Sequence, residues 1–408
     1  MSSKILSAQE KRDFRHKPKG QAKGIQDPSG SGFRGLANRA LISLVLSFAC
    51  FGLMAVYSAS APEALQSFQD STVFLRRQAI ACVIGLFVMF YLSRLDYRRL
   101  RKWAWPLALV SSGLVVLTLV PHLSVTTMGS SRWLALGPLQ FQPSELAKVS
   151  LILLMASGLS KYFWWHRQVL SRIVITMVVA GIVVKQPDLG TALMIIGTLL
   201  ALLFVSGTNS LLIVGSLSGG AWLVWHHITK TPYQLARINS WLNPYDSPQK
   251  EGWNIIQSLL AIGSGGLWGC GFGGSLQKLY YLPVQHADFI FAVIAEEFGL
   301  LGCLVLVSLY ILFGYYGFKT ALESRTLFGR LLAIGITSSI CLQALVNLMV
   351  TSGLLPVTGI TLPFISYGGS SLVITLGMVG ILLSVSRDRG VLGEEDDGEL
   401  LEAGQVQQ

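Results

Sequence analysis

YLPVQHADFIFAVIAEEFG (281–299) places His286, Asp288, Glu296 and Glu297 around an apolar run, FIFAVIA, that reads as the opening of a membrane helix. Ionisable side chains are costly in hydrocarbon, and where they occur they face a water-filled cavity or a partner charge. How this stretch is satisfied decides the fold, and the rest of the chain has to supply the cavity.

The 408 residues are 52% hydrophobic and only 13% charged, with a mean hydropathy of +0.56. Soluble domains carry about a quarter charged residues, so the composition describes an all-α polytopic membrane protein. The net charge of +10 is split between the ends and the loops and does not point to nucleic acid. Residues 1–39 form a basic head, from Lys4 and Lys11 to Arg34 and Arg39, whose polar composition predicts disorder. Residues 387–408 form an acidic tail (GEEDDGELLE after Arg389), also expected to be disordered. No apolar h-region opens the chain, so the first membrane helix is expected to act as the insertion signal. The five cysteines are scattered, with no CxxC pair, and support neither a disulfide framework nor a zinc site.

Between head and tail, residues 40–386 hold about ten apolar runs long enough to cross a bilayer: 40–58, 75–93, 103–121, 144–160, 170–185, 189–206, 210–228, 289–317, 328–350 and 367–386. Lys and Arg concentrate in 94–102 (RLDYRRLRK), 161–172 and 318–330, whereas 59–74 and 351–366 have none. The positive-inside rule then places both termini in the cytoplasm. Arg76 and Arg77 lie on the opposite side. Three segments fall outside: 122–143, the large loop at about 229–288 between helices 7 and 8, and 351–366. The two shorter ones carry few charges but several Gly and Pro. Irregular backbone near a membrane survives where it is buried in protein or lines a cavity, so all three are expected to fold over one external cavity.

GLLPVTGITLPFISYGGSS (353–371) packs two prolines, four glycines and three serines into the start of the last span. With Asn347 before it, this motif resembles the signature of the SEDS proteins (shape, elongation, division and sporulation), with Thr361 where the family usually has proline. The resemblance extends through RWLALGPLQFQPSELAK (132–148), QPDLGTA (186–192) and the opening stretch, over roughly residues 40–386. Within the family, MAVYSAS (54–60), RINSWLNPYDSP (237–248) and SLLAIGSGGLWGCGFGGSLQKLYYLP (258–283) are FtsW-like, of the division branch, rather than RodA-like. The resemblance implies a peptidoglycan glycosyltransferase that polymerises lipid II (an undecaprenyl-pyrophosphate disaccharide peptide) at the outer face of the bacterial cytoplasmic (inner) membrane. Its implied setting is the division septum, beside a class B penicillin-binding protein transpeptidase and other divisome proteins.

That chemistry needs a base for the sugar hydroxyl, cations for pyrophosphate and a lipid-exposed groove. Asp288 matches the family's essential aspartate and is the candidate catalytic base; partial desolvation would raise its basicity. An N-cap would equally account for an aspartate at a helix start. Eight residues at about 100° each put Glu296 roughly 80° from Asp288, and Glu297 falls on nearly the opposite face. Both are therefore expected to be supporting, one of them pairing with a cation between helices. Ala292, Ala295, Gly299 and Gly302 form a small-residue stripe suited to close helix packing. Arg132 and Lys148 suit pyrophosphate, Trp133 a sugar face or the interfacial belt, and Glu145–Lys148 equally a local i,i+3 pair. Asp188 is either a substrate ligand or a cap. The resemblance adds His286, Ser366 and Ser370 as substrate-binding residues, and Asn347, Pro356, Pro363, Gly368 and Gly369 as supporting ones.

GLWGCGFGG (266–274) is no dinucleotide fingerprint, because no strand precedes it. It is expected to be a flexible hinge or a phosphate-facing turn. Val284, Gln285 and Ala287 depart from the family's usual LPEAHTDF, so the glutamate's role there is either moved or dispensable. No cofactor is evident, and a divalent cation stays open. A lipid II flippase, a RodA-like elongation polymerase and a divisome scaffold are the competing readings.

Overall fold

A computed structural model describes residues 28–120, 124–127, 130–136, 139–249, 252–278 and 286–387. Residues 1–27 and 388–408, most of the expected head and tail, lie outside the described residues, as do Val284 and Gln285. The chain divides into a short unit, Met1–Leu36, and a main unit, Ala37–Gln408; the site belongs to the main unit. Helix α1 (Pro28–Phe68) starts inside the segment expected to lack structure. A proline is well placed at a helix start, where its missing N–H has no intrahelical partner to lose.

The chain is predominantly helical. Seven helices are long and apolar enough to cross a membrane: Asn38–Phe68 of α1, α2 (Val73–Arg94), α5 (Arg167–Lys185), α7 (Ser210–Lys230), α10 (Ile290–Leu322), α11 (Leu327–Thr351) and α12 (Gly369–Ser386). The three remaining expected spans are also helices. α3 (Tyr97–Leu117) begins with Arg98, Arg99, Arg101 and Lys102, and α4 (Pro143–Leu159) and α6 (Leu189–Val205) are each 17 residues long. α4 is buried along nearly its whole length, between α3, α5, α6 and α11. α12 lies along α2 in backbone contact: a Cβ on Gly380 would stand 2.5 Å from the Met89 carbonyl. Small residues let membrane helices approach this closely.

The segment 122–143 holds a three-stranded antiparallel sheet, β1 (Ser124–Thr127), β2 (Ser130–Leu136) and β3 (Leu139–Phe141), an addition to the expected all-α architecture. Val125 pairs with Trp133, and Leu134 with Phe141. The Gly137–Pro138 dipeptide between β2 and β3 is the sequence signal for it. The large loop likewise contains α8 (Pro232–Leu242) and α9 (Trp253–Ser264).

The opening stretch resolves through a break in α10. Gly299 has φ 64° and ψ −165°, which interrupts the helix. The four backbone groups left open are taken by the glycine-rich turn. Cys270 N–H donates to the Glu296 carbonyl (2.9 Å) and Gly271 N–H to that of Glu297 (3.1 Å), while the N–H groups of Leu300 and Leu301 donate to Gly266 (2.9 Å) and Leu267 (3.3 Å). The fit excludes side chains, since a Cβ on Gly265 would stand 2.0 Å from the Ala295 carbonyl and one on Gly269, at φ +79°, 2.2 Å from that of Glu297. GLWGCGFGG is thus neither hinge nor phosphate cradle: its Cys270 and Gly271 N–H groups are consumed. The stripe at Ala295 and Gly299 receives this turn. By length, residues 300–322 suffice to span a bilayer at 1.5 Å per residue. The FIFAVIA segment before the break is buried against protein, with Ile290, Ala292 and Ile294 at 0–1% exposure.

Candidate functional site

Three successive carbonyls fix the strap that carries Asp288. The His286 carbonyl accepts from Tyr367 N–H (2.9 Å), that of Ala287 from Ser366 Oγ (2.5 Å), and that of Asp288 from Asn347 Nδ2 (2.9 Å). Asn347 also donates to the Ile360 carbonyl (2.7 Å) and so ties strap, α11 and the 353–371 motif together. The motif is braced by Gln78 of α2, which donates to the Ser366 carbonyl (3.1 Å) and accepts from Gly368 N–H (3.2 Å). Tyr310 Oη donates to the Pro363 carbonyl (2.5 Å). Trp241 of α8 donates to the Gly353 carbonyl (2.8 Å). With Gly369 starting α12 behind an extended Gly368, the signature positions the strap. Pro356 lies in the same loop.

The Asp288 carboxylate is not spent on the helix. Phe289 occupies the N-cap of α10, and no side chain caps it. Asp288 is enclosed by protein yet keeps part of its surface open. Burial pushes its carboxyl above the ordinary aspartate range; Arg132 and Arg237 pull the other way, and Asp188 adds to the rise. Gly359 marks the spot: a Cβ there would stand 3.3 Å from Arg132 Nη1 and 3.7 Å from Asp288 Oδ2. Its φ of +74° suits glycine.

Arg132, on β2, donates through Nη2 to the Pro187 carbonyl, with Nη1 3.8 Å from Asp188 Oδ1. Asp188 is itself the cap of α6, accepting from Thr191 N–H (3.1 Å) and Thr191 Oγ1 (2.8 Å). It is 1% exposed, so it anchors Arg132 from behind. Trp133, the next residue on β2, is half-buried. Arg237 enters from α8 and donates to the Val357 carbonyl (3.2 Å). Sequence reading missed it, because nothing in RINSWLNP marks one arginine of a loop helix as a neighbour of residue 288.

Other expected ligands are engaged elsewhere. Lys148 is 4% exposed inside the bundle, with Nζ 2.9 Å from Glu145 Oε1 and 2.7 Å from Gln343 Oε1. Glu145 accepts from Ser371 (3.2 Å), and Gln343 donates to the Thr361 carbonyl (3.0 Å). The local-pair reading of Lys148 is therefore realised, and its chain of bonds ends on the signature loop. His286 Nδ1 stands 3.2 Å from Glu63 Oε2, an ion-pair distance without an aligned hydrogen bond, and its ring packs on Phe74 and Tyr367. Ser366 is used on backbone, while Ser370 Oγ is buried with no hydrogen-bond partner among the described residues. Glu297 pairs with Lys278 (2.8 Å) and accepts from Ser58. Glu296 accepts from Ser275 Oγ and Leu276 N–H. Among the described residues no group of three or more His, Cys, Asp or Glu is arranged to hold a metal ion.

Residues 38–390 match the FtsW/RodA/SpoVE family model, described as cell cycle protein. The chain is 40% identical over 350 residues to a probable peptidoglycan glycosyltransferase FtsW of Trichlorobacter lovleyi, covering 85% of this chain and 92% of that one. It is also 40% identical to Stage V sporulation protein E of Bacillus subtilis, covering 85% and 96%. Among solved structures, it resembles a chain of "Structural coordination of polymerization and crosslinking by a peptidoglycan synthase complex", with TM-score 0.71, 34% identity and 86% and 97% coverage. Against the rod shape determining protein RodA of Thermus thermophilus the TM-score is 0.65, again at 34% identity and with 86% and 97% coverage.

Proposed function

Because the chain belongs to the FtsW, RodA and SpoVE family of cell cycle proteins, we propose that it is a peptidoglycan glycosyltransferase that polymerises lipid II during septal wall synthesis. Asp288 acts as general base, taking the proton of the acceptor's 4-hydroxyl as that oxygen attacks the donor sugar and the lipid diphosphate leaves. Arg132 and Arg237 lie beside it on separate elements and suit the charge that builds on the departing diphosphate. Guanidinium groups make strong charge-assisted hydrogen bonds to phosphate, and fixed cations need little reorganisation as charge develops. Trp133 offers an aromatic face beside Arg132. The observation that carries this reading is Asp288 itself, a carboxylate made more basic by burial, unspent on the helix and flanked by two arginines.

Lys148 and Glu145 hold the signature loop from inside the bundle, so the diphosphate contacts fall to the two arginines. A divalent cation on the substrate diphosphate is compatible with this scheme, and no step depends on one. The likeness to a chain of a peptidoglycan synthase complex supports a crosslinking class B penicillin-binding protein as partner. The basic loops support cytoplasmic termini and, with them, an outer-face position for Asp288.

The test is polymerisation of purified lipid II by the full chain with its penicillin-binding protein. Glycan strands from the wild type and none from Asp288→Asn are expected. A wild type that moves lipid II across vesicles while making no glycan would replace the polymerase with a flippase.

A further inference from the structure

The second half of the large loop is turned inside out. Residues 252–277 contain no Asp, Glu, Lys or Arg, and several of their polar side chains point inward. Ser258 is 1% exposed and donates its Oγ to the Thr351 carbonyl (2.6 Å). Gln257 is buried, and so is Ser275, whose Oγ donates to the Glu296 carboxylate (2.5 Å). The large apolar side chains point outward. Leu259, Leu260 and Phe272 are exposed, and Leu267, Leu276 and Trp268 reach 62%, 66% and 80%. A protein surface in water has the opposite order, with polar residues out and apolar ones in. An exposed apolar patch rather marks a contact with protein or membrane.

The level of this patch is fixed by the splice at Gly299. The Gly266 and Leu267 carbonyls accept from the N–H groups of Leu300 and Leu301, so the turn stands beside the first residues of the 300–322 segment that suffices to span a bilayer. Leu300, Leu301, Leu304 and Val305 are exposed on that segment, and the apolar surface of the turn meets that of the span at one height. Phe272 packs on Phe298 (ring centroids 6.3 Å), which packs on Phe51 of α1 (5.6 Å). The turn therefore adjoins two spanning helices, α1 and α10.

Irregular backbone survives at membrane depth only where its polar groups are held by protein, and this turn meets that condition. Besides the four bonds across the break, Gly269 N–H donates to the Gly265 carbonyl (2.8 Å), Gly274 N–H to that of Gly271 (2.9 Å) and Leu276 N–H to the Glu296 carboxylate (2.9 Å). Lys278, the first charged residue after the stretch, is buried in its pair with Glu297. Lipid fits the patch better than a protein partner does. A protein interface carries about one hydrogen bond per 100–200 Å², and among the six outward side chains only the Trp268 Nε1–H can make one. An indole with an apolar body and one donor suits the boundary between acyl chains and headgroups.

We propose that residues 253–276, α9 and the glycine-rich turn, form a re-entrant element seated in the leaflet on the Asp288 side, with Leu259, Leu260, Leu267, Trp268, Phe272 and Leu276 against lipid. The element is independent of the glycosyltransferase reading, and its test measures lipid contact rather than polymerisation. The full chain is placed in nanodiscs at one copy per disc, and Trp268 emission is taken as the difference between wild type and Trp268→Phe. Lipid brominated on its acyl chains is expected to quench that emission several-fold more than aqueous iodide does. Stronger quenching by iodide would return the turn to water and overturn the proposal. Quenching by neither would mean that protein covers the patch, and would overturn the lipid as its occupant. A second arm places nitroxides through Leu260→Cys, Phe272→Cys and Leu276→Cys, in a chain whose native cysteines are replaced by alanine. Asp246→Cys, at an exposed position of the same loop, is the water control. The first three labels should collide with oxygen more than with a soluble nickel chelate, and the control should show the reverse. Labels at 272 and 276 that meet nickel as often as the control would overturn the proposal. Thermal midpoints identify the folded variants, and either arm decides alone where the variants of the other do not fold.

Discussion

Two clusters in this chain are built from the same ingredients, carboxylate and cation, and they end in opposite conditions. In the interior, Lys148 and Glu145 are closed on each other and on Gln343 and Ser371, at 4% exposure each. At the Asp288 end, Arg132 leans on Asp188 and the Pro187 carbonyl, Arg237 on the Val357 carbonyl, and the Asp288 carboxylate is left without a hydrogen bond to its own helix. Saturation makes a cluster a fastener, and vacancy makes it chemistry. The residue types do not tell the two apart; their remaining valence does.

The sharpest way to break the contrast is Asp288→Asn. Loss of a general base typically costs about 10²–10⁴-fold in rate, and that loss is expected in lipid II polymerisation by a folded protein. The same substitution should not harm stability. Burial raises the carboxyl of Asp288 in the folded chain, so the unfolded chain releases that proton first. Stability is then lost as pH rises through the raised value. At neutral pH the Asn variant should melt at or above the wild-type temperature. The acid limb of the wild-type rate profile should lie above the usual aspartate range, since the base must be ionised to act. A limb at ordinary aspartate values would move Asp288 out of the basic role.

Lys148→Met tests the fastener. Removing one partner of a buried pair costs roughly 3–5 kcal/mol, so the expected signature is a lower thermal midpoint, with activity lost in proportion to folded protein. Full stability with weakened lipid II binding would put Lys148 back at the diphosphate. Arg237→Gln lies next in size. One charge-assisted contact is worth about 1.5–3 kcal/mol, so apparent affinity for lipid II should fall roughly ten- to a hundredfold with the melting temperature little changed. Thr361→Pro restores the family's usual residue and should be the mildest. Gln343 bonds the Thr361 carbonyl, which proline keeps, and reaches Oγ1 only at 3.4 Å, so a change below about 1 kcal/mol in stability is expected.

Much of this was legible in the sequence. The long apolar runs read directly as helices, because hydrocarbon imposes length and composition together. Asp288, Asn347 and the 353–371 motif were marked by punctuation and resemblance, and the structure brings them into contact. Other features were not marked. α4 is buried on nearly every side, so no polar face signalled that Lys148 points inward. Arg237 and Gln78 act on backbone 120 and 288 residues away, and a single chain carries no record of such distances. The splice at Gly299 escaped for a similar reason: glycines read as freedom locally, whereas here Gly265, Gly269, Gly274 and Gly299 are required by contact.

That splice bears on how the protein is made. Residues 265–271 leave the ribosome before residues 296–301, so the turn is available when the broken helix arrives. Each unpaired backbone group would cost several kcal/mol in lipid, and four such groups are closed only by the pairing of the two segments. The glycine turn and the first third of α10 should therefore leave the translocon as one partner-dependent piece, with the Asp288 strap carried into position on it. A ribosome-stalling series read by protease protection would show residues 290–299 settling only in chains that retain the turn.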